Sequence, residues 1–289
     1  MREHDTLHRF IIENSHVRGE LVHLDATWRA VLERADYPEV VRAVLGEALA
    51  SVALLAATIK FEGSLILQIR GNGPLHLLVT QATHDGTLRG LARWHGDVPE
   101  GDLSAIFGEA QMAVTIEQAQ GSPYQGIIML QGASLAESIE AYFTQSEQLS
   151  TRLWLAAGED CCAGLLLQEL PGEEKDLDVW QRAEKLAATI TADELLQLPA
   201  VEILHRLYHE EDVRLFDAEP RCFRCSCSRE RIEAMLHTLG IDEVRDIVAE
   251  QGKVGVDCEF CNAHYEFDAV DVEMIFMAVG RPDISDTSH

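Results

Sequence analysis

Basic residues are scarce in this chain of 289 residues: 23 Lys and Arg stand against 49 Asp and Glu, a formal net charge of -26 with a pI of about 4.7. Nucleic-acid phosphates and anionic membrane surfaces both require clustered cations, so the deficit argues against either partner. Long apolar runs are missing too. The longest, around Ala48 to Ile59, is too short to span a bilayer and carries Ser51 and Thr58. Met1 to Asp5 leads into no secretory apolar stretch, and a cytoplasmic protein is expected. There is no phosphate loop, dinucleotide fingerprint, His-Glu-x-x-His or Gly-x-Ser-x-Gly elbow; Gly71-Asn72-Gly73 reads only as a turn. No enzyme is expected.

What the chain does have is enough apolar material to fold, 47% of residues, and room for one large domain beside a small one. Alternation at Val17, Gly19 and Leu21 predicts a strand. A helix follows from Thr27 and should stop near Asp36-Tyr37-Pro38. The stretch Pro38 to Lys60 is helical in pattern and apolar nearly all round, which predicts a buried helix packed across a sheet. From Gly63 to about Gln118 the period becomes two, with turns at Gly71-Asn72-Gly73-Pro74 and His84-Asp85-Gly86. Met112–Ile116 and Gly126–Leu130 read as another pair, Ser134 opens a helix, and Leu153–Ala157 and Ala163–Leu170 return to strand. The fold class expected is α+β, with antiparallel sheets and packed helices over residues 1–172.

At Pro171-Gly172-Glu173-Glu174 the composition turns acidic, and residues 173–219 hold short amphipathic helical patterns through Leu177, Trp180, Ala183, Leu186 and Ile190, then Leu195 to Tyr208. Thr191 with Glu194 three residues on has the spacing of a capping box. This segment reads either as an interdomain helical linker with a solvated acidic face or as a marginally stable module whose apolar stripe can be uncovered. Residues 220–289 form the small third part. Helices are expected over Ser228–Leu239, Asp242–Glu250 and Ala269–Val279, with short strands at Val254-Gly255-Val256 and His264–Phe267.

Five of the seven cysteines fall in this last part: Cys222, Cys225 and Cys227, then 30 residues, then Cys258 and Cys261. Two short cysteine knuckles can supply four thiolates to a soft cation such as zinc, at about 2.3 Å in a tetrahedron. Cys258-x-x-Cys261 has ordinary knuckle spacing. On the first side two choices stay open, Cys222-x-x-Cys225 and the unusually short Cys225-x-Cys227, and His264 is a competing ligand. Four sulfurs would leave no open coordination position for a catalytic water. Whether the site is a permanent clasp or a redox switch is open on spacing alone. Cys161 and Cys162 are adjacent, a poor geometry for a disulfide, and are expected to be unpaired.

Phe223-x-Cys225-Ser226-Cys227-Ser228-Arg229-Glu230-Arg231, together with Cys258-Glu259-Phe260-Cys261-Asn262-x-His264-Tyr265, closely resembles the redox-regulated heat-shock protein 33 chaperones. Val17–Val22, Ala57–Gly63, Gly71–Leu75 and Tyr142-Phe143-x-x-Ser146–Leu149 look like the same family's core, so the resemblance spans essentially the whole chain. It implies an ATP-independent holdase, inactive when reduced. It implies one Zn2+ per chain on Cys225, Cys227, Cys258 and Cys261, and on oxidation the disulfides Cys225–Cys227 and Cys258–Cys261. Zinc then leaves, the zinc domain and the linker of residues 173–219 unfold, and an apolar surface that binds unfolding client proteins is uncovered, typically in a homodimer. Two departures stand out: Cys222 is an extra thiol beside the first knuckle, and Ser150 stands where the family pattern would have proline. The rival readings are a thiol-disulfide oxidoreductase using Cys258 and Cys261, which requires a thioredoxin-like βαβ unit, and a zinc-ribbon nucleic-acid binder using Arg221, Arg224, Arg229 and Arg231, against which the acidic excess argues.

Overall fold

The computed structural model describes residues 4–118, 121–172 and 178–278. β1 (Thr6–Ile12) and β2 (Val17–Leu24) form an antiparallel hairpin. Asp25 then caps α1 (Ala26–Leu32) by accepting from the Ala26 amide. α1 stops short of the expected boundary at Asp36 because the chain turns at Glu33–Ala35 to bury Tyr37 against Trp94. α2 (Glu39–Thr58) begins directly after Pro38, whose missing N–H costs nothing at a helix start. β3 (Gly63–Gly71), β4 (Leu75–Thr83) and β5 (Thr87–Trp94) follow as an antiparallel meander. A one-turn helix, α3 (Leu103–Phe107), was not apparent from sequence; its only local signal is Asp102, which accepts from the Ala105 amide.

β6 (Ala110–Gln118) and β7 (Tyr124–Met129) pair antiparallel, and Ser134 caps α4 (Leu135–Tyr142), which runs into a π-helical turn over Phe143–Glu147. β8 (Thr151–Ala157) and β9 (Cys162–Glu169) complete the expected set. The acidic segment holds α5 (Val179–Ala187), α6 (Ala192–Gln197) and α7 (Ala200–Tyr208), with both halves of the Thr191–Glu194 capping box formed. Residues 173–177, including Leu177 of the expected helical pattern, lie outside the described residues. The end of this segment is not helical. β10 (Val213–Leu215) and β11 (Glu219–Pro220) pair with β1, and β12 (Cys222–Phe223) pairs parallel with β5.

Two sheets result: β10-β1-β2-β9-β8 with β11 also on β1, and β12-β5-β4-β3-β6-β7. α2 packs between them. Leu45, Leu49, Val52 and Leu54 are buried with Leu7, Val22, Leu24 and Leu166 of the first sheet and with Leu65, Leu67, Ile69, Leu78 and Met112 of the second. By length and composition α2 could cross a membrane, yet 72% of its apolar window is buried inside the protein, as a core helix requires. The opposite face of the first sheet has its own cover. Phe10, Ile12, Val17, Leu21, Leu165 and Leu167 pack under α5–α7 through Ala183, Leu195, Ile203, Leu204 and Tyr208. Gly19 permits this layer to close, since a Cβ there would lie 2.1 Å from the Phe10 ring.

The chain forms two compact units, Met1–Arg224 and Cys225–His289. In the second, Ser228 caps α8 (Arg229–Leu239), and Gly240 and Gly252, both at positive φ, end α8 and α9 (Ile241–Gln251). β13 (Val254–Asp257) and β14 (His264–Phe267) form a hairpin, followed by α10 (Ala269–Ala278); Val279, the expected end of that helix, lies outside the described residues. Among the described residues, the buried apolar core of this unit is Leu236, Val244, Val254, Phe267 and Val272.

Glu20 on β2 is 1% exposed, and its Oε2 has no hydrogen-bond partner. Burial raises its pKa to about 7, against a smaller opposing pull from Arg18 and Arg9. The folded value lies above the ordinary 4.5, so the native state binds the extra proton and stability falls as pH rises from about 4.5 to 7. All four tryptophans lie in Met1–Arg224, so their fluorescence follows this unit alone. In urea titrations between pH 5 and 8, Glu20→Gln is expected to remove on the order of 3 kcal/mol of that pH-dependent loss. An unchanged slope would mean that Glu20 is ionised throughout.

Candidate metal centre

The first pair of cysteines sits on the segment that enters α8. Ser228 fixes the helix start by accepting from the Arg231 amide at 3.3 Å, and the Arg231 guanidinium donates to Ser226 Oγ at 2.6 Å. Cys225, Ser226 and Cys227 are thus held from the helix behind them. The second pair lies on the turn of the β13–β14 hairpin. There the Cys258 amide donates to Ala263 O at 2.9 Å, while the Cys258 carbonyl accepts from Cys261 at 3.2 Å and Asn262 at 2.7 Å. Asn262 closes the turn at φ 58, a left-handed conformation that asparagine tolerates well.

These two supports bring Cys225, Cys227, Cys258 and Cys261 together, with all four sulfurs within 4.8 Å of one another. Cys225 Sγ lies 3.6 Å from Cys258 Sγ, and Cys227 Sγ lies 3.3 Å from Cys261 Sγ. A tetrahedron with metal–sulfur bonds of about 2.3 Å has edges of roughly 3.8 Å, so the spacing suits a four-thiolate site. None of the seven cysteines is in a disulfide. The electrostatics point the same way. Burial, with hydrogen bonding among the neighbouring sulfurs, pushes the Cys261 thiol up to about 12, and burial also raises Cys258. Cys258 and Cys261 therefore resist ionising by themselves, and a bound cation is what would hold them as thiolates. The residues present fit a soft divalent metal.

The alternatives left open by spacing separate cleanly. Cys222 is outside the cluster: it is an exposed residue of β12, paired with Thr87 on β5. His264 is outside it as well. Its Nδ1 meets Asp257 Oδ1 at 2.6 Å and its Nε2 meets Glu266 Oε1 at 3.1 Å, and these partners raise its pKa. Cys162 is fully buried in β9, where burial drives its thiol well up, and neighbouring Cys161 reaches Leu196 O at 3.7 Å. One contributor escaped the sequence reading. Tyr265, on β14, donates its hydroxyl to Cys227 Sγ at 3.2 Å, and that bond is the first cause of its pKa being raised to about 12. The signal available was its position four residues after Cys261, at the start of a strand.

The sequence profile of the family described as Hsp33 protein matches residues 5–268. A 33 kDa chaperonin of Nitrosococcus oceani is 54% identical over 289 residues, covering all of both chains. One from Shewanella sediminis is 45% identical over 280 residues, 96% of this chain and 98% of its own. Among solved structures, that of the 33 kDa chaperonin (heat shock protein 33 homolog) of Thermotoga maritima superposes with a TM-score of 0.81 over 96% of this chain and 99% of its own, at 22% identity, a likeness of fold.

Tyr265→Phe keeps the ring and removes the O–H···S bond. Losing such an outer hydrogen bond typically costs 10- to 100-fold in metal affinity. The expected result, in competition with a chromogenic chelator, is weaker zinc retention with far-UV circular dichroism unchanged. Equal retention by both proteins would show that the hydroxyl does not support the site.

Proposed function

The chain belongs to the heat-shock protein 33 family of chaperones, and from that we propose that it is an oxidation-activated, ATP-independent holdase for unfolding proteins. The observation that carries the proposal is a four-cysteine cluster placed in a unit whose apolar cluster, among the described residues, has five buried members. Structural zinc contributes on the order of 10 kcal/mol to folding, more than so small a core supplies by itself. Bound zinc would keep the four sulfurs as thiolates and hold their two supports together.

Cys225, Cys227, Cys258 and Cys261 are the ligands in this reading, to one Zn2+ per chain. Two molecules of peroxide accept four electrons from the four thiolates. Two S–S bonds form, the two O–O bonds break, four protons are taken up to give four waters, and Zn2+ is released. The shortest sulfur separations run across the knuckles, from Cys225 to Cys258 and from Cys227 to Cys261. Once the unit loosens those partners diffuse apart, whereas Cys225 and Cys227, and Cys258 and Cys261, stay adjacent along the chain. That contiguity favours Cys225–Cys227 and Cys258–Cys261 as the pairs that persist.

Unfolding of the switch unit passes along the chain to the linker, residues 173–219. The face beneath α5–α7 is the source of client-binding surface: Phe10, Ile12, Val17, Leu21, Leu165 and Leu167, each worth about 1.5–3 kcal/mol when buried. Unfolding chains that expose apolar segments are its clients, and two opened protomers pair as a homodimer. A cytoplasmic location, with neither nucleic acid nor membrane as partner, accords with the charge of -26. The oxidoreductase alternative lacks its βαβ unit among the described residues, where β12 with β5 is the one parallel pairing.

Peroxide at mildly elevated temperature, applied to reduced protein with a chelator dye and a denatured client, should release about one zinc per chain as aggregation suppression appears. Cys225→Ser should uncouple the two, and peptide mapping should find the in-knuckle disulfides. Retained zinc with no suppression would leave the site a permanent clasp and remove the holdase reading.

A further inference from the structure

Helix α6 ends abruptly because Pro199 cannot continue it, and its last carbonyls therefore have no intrahelical partner. One of them, Leu196 O, is met by two side chains of the sheet below. His23 on β2 reaches it through Nε2 at 2.8 Å, and Cys161, on the β8–β9 turn, through Sγ at 3.7 Å. A ring nitrogen facing a carbonyl at that distance carries the proton, so His23 is the Nε2–H tautomer and its Nδ1 presents a lone pair. That Nδ1 is buried with no hydrogen-bond partner.

The residue directly across the ladder from His23 is Thr6, and Thr6 Oγ1 is also buried without a partner. Both residues line one small pocket of about 30 Å³, together with Leu195, Leu198 and Pro199. Beside the two polar contacts to Leu196 O, the packing of α6–α7 on this face is chiefly hydrocarbon, which resists separation but fixes no position. A hydrogen bond fixes one.

We propose that His23 is the positioning residue of the linker: donating from Nε2 to Leu196 O, it caps the end of α6 and sets how readily α6 and α7 leave the core. This rests on the reading of α5–α7 as a releasable cover, and it adds a control on release that is chemically separate from the four cysteines.

The test uses full-length, reduced, zinc-loaded protein with no oxidant and no client, and follows amide hydrogen exchange by mass spectrometry. His23→Phe should speed exchange over residues 192–208 by roughly tenfold, the order expected for losing one buried hydrogen bond. Exchange in β3–β6 and the zinc content should stay at wild-type values. Glutamine carries its N–H at the reach of Nε2 and asparagine at the reach of Nδ1, so His23→Gln should restore protection and His23→Asn should not. Wild-type exchange in His23→Phe would overturn the proposal, as would equal acceleration in the Phe and Gln variants, which would mark His23 as packing alone. Because no client is present, these outcomes are independent of whether the protein is a holdase.

Discussion

Four sulfurs held within 4.8 Å of one another constrain the second unit more than any other interaction in it. As thiolates they repel; as thiols they are poor hydrogen-bonding groups in a half-buried setting. The unit around them cannot compensate through size, since its core is Leu236, Val244, Val254, Phe267 and Val272. Its remaining order comes from short-range devices: the Ser228 cap, the left-handed Asn262, and the Arg229 guanidinium, which stacks 4.3 Å over the Phe267 ring and binds Asp271 at 3.0 Å. Exposed ion pairs of this kind contribute about 1 kcal/mol or less each. Such devices position the sulfurs but add little stability, so a metal bound there would supply much of the unit's folding free energy.

The first unit is built on the opposite principle. Its central helix is buried between two sheets, and each sheet holds its inner face against α2 with fully buried Leu, Ile and Met side chains. The outer face of the first sheet is covered differently, by three short amphipathic helices of six to nine residues in an acidic segment. Helices of that length are not stable alone. Their order depends on the sheet beneath them. Under the proposed function the β10-β1-β2-β9-β8 array, here sheet A, would keep its face against α2 and give up its cover on the other.

Legibility in the sequence followed the strength of the local signal. α2 was readable because twenty residues with almost no polar break have few other fates, and the strands from β3 to β9 because their alternation is bounded by glycine turns. The capping box at Thr191 and the cap at Ser228 were readable as chemistry. β10, β11 and β12 were not: strands of two or three residues carry no periodicity, and their pairing with β1 and β5 is fixed by partners some 130 to 210 positions away in the chain. The choice among Cys222, Cys225 and Cys227 had the same character. Spacing allowed two knuckles, and the pairing of Cys222 with Thr87 on β5 removes it from the cluster. Tyr265 and His23 were invisible for a related reason, since each matters through one long-range bond that a linear pattern does not encode.

Charge links these parts. With 49 acidic against 23 basic residues the chain repels itself, and the repulsion opposes compaction most where the core is thinnest. In the first unit the buried layer around α2 outweighs it. In the acidic segment, ion pairs such as Arg152 with Glu184 and Arg182 with Glu211 tie acidic helices to basic points, in a composition where carboxylates outnumber cations. Were those helices to detach, as the proposed function requires, the same repulsion would keep the released segment extended and solvated beside the apolar face of sheet A. A holdase of that kind, uncovering Phe10, Ile12 and Leu165 without aggregating through them, would need that combination: a rigid inner layer, a cover that is easily lost, and a net charge that discourages copies of the opened molecule from associating without limit.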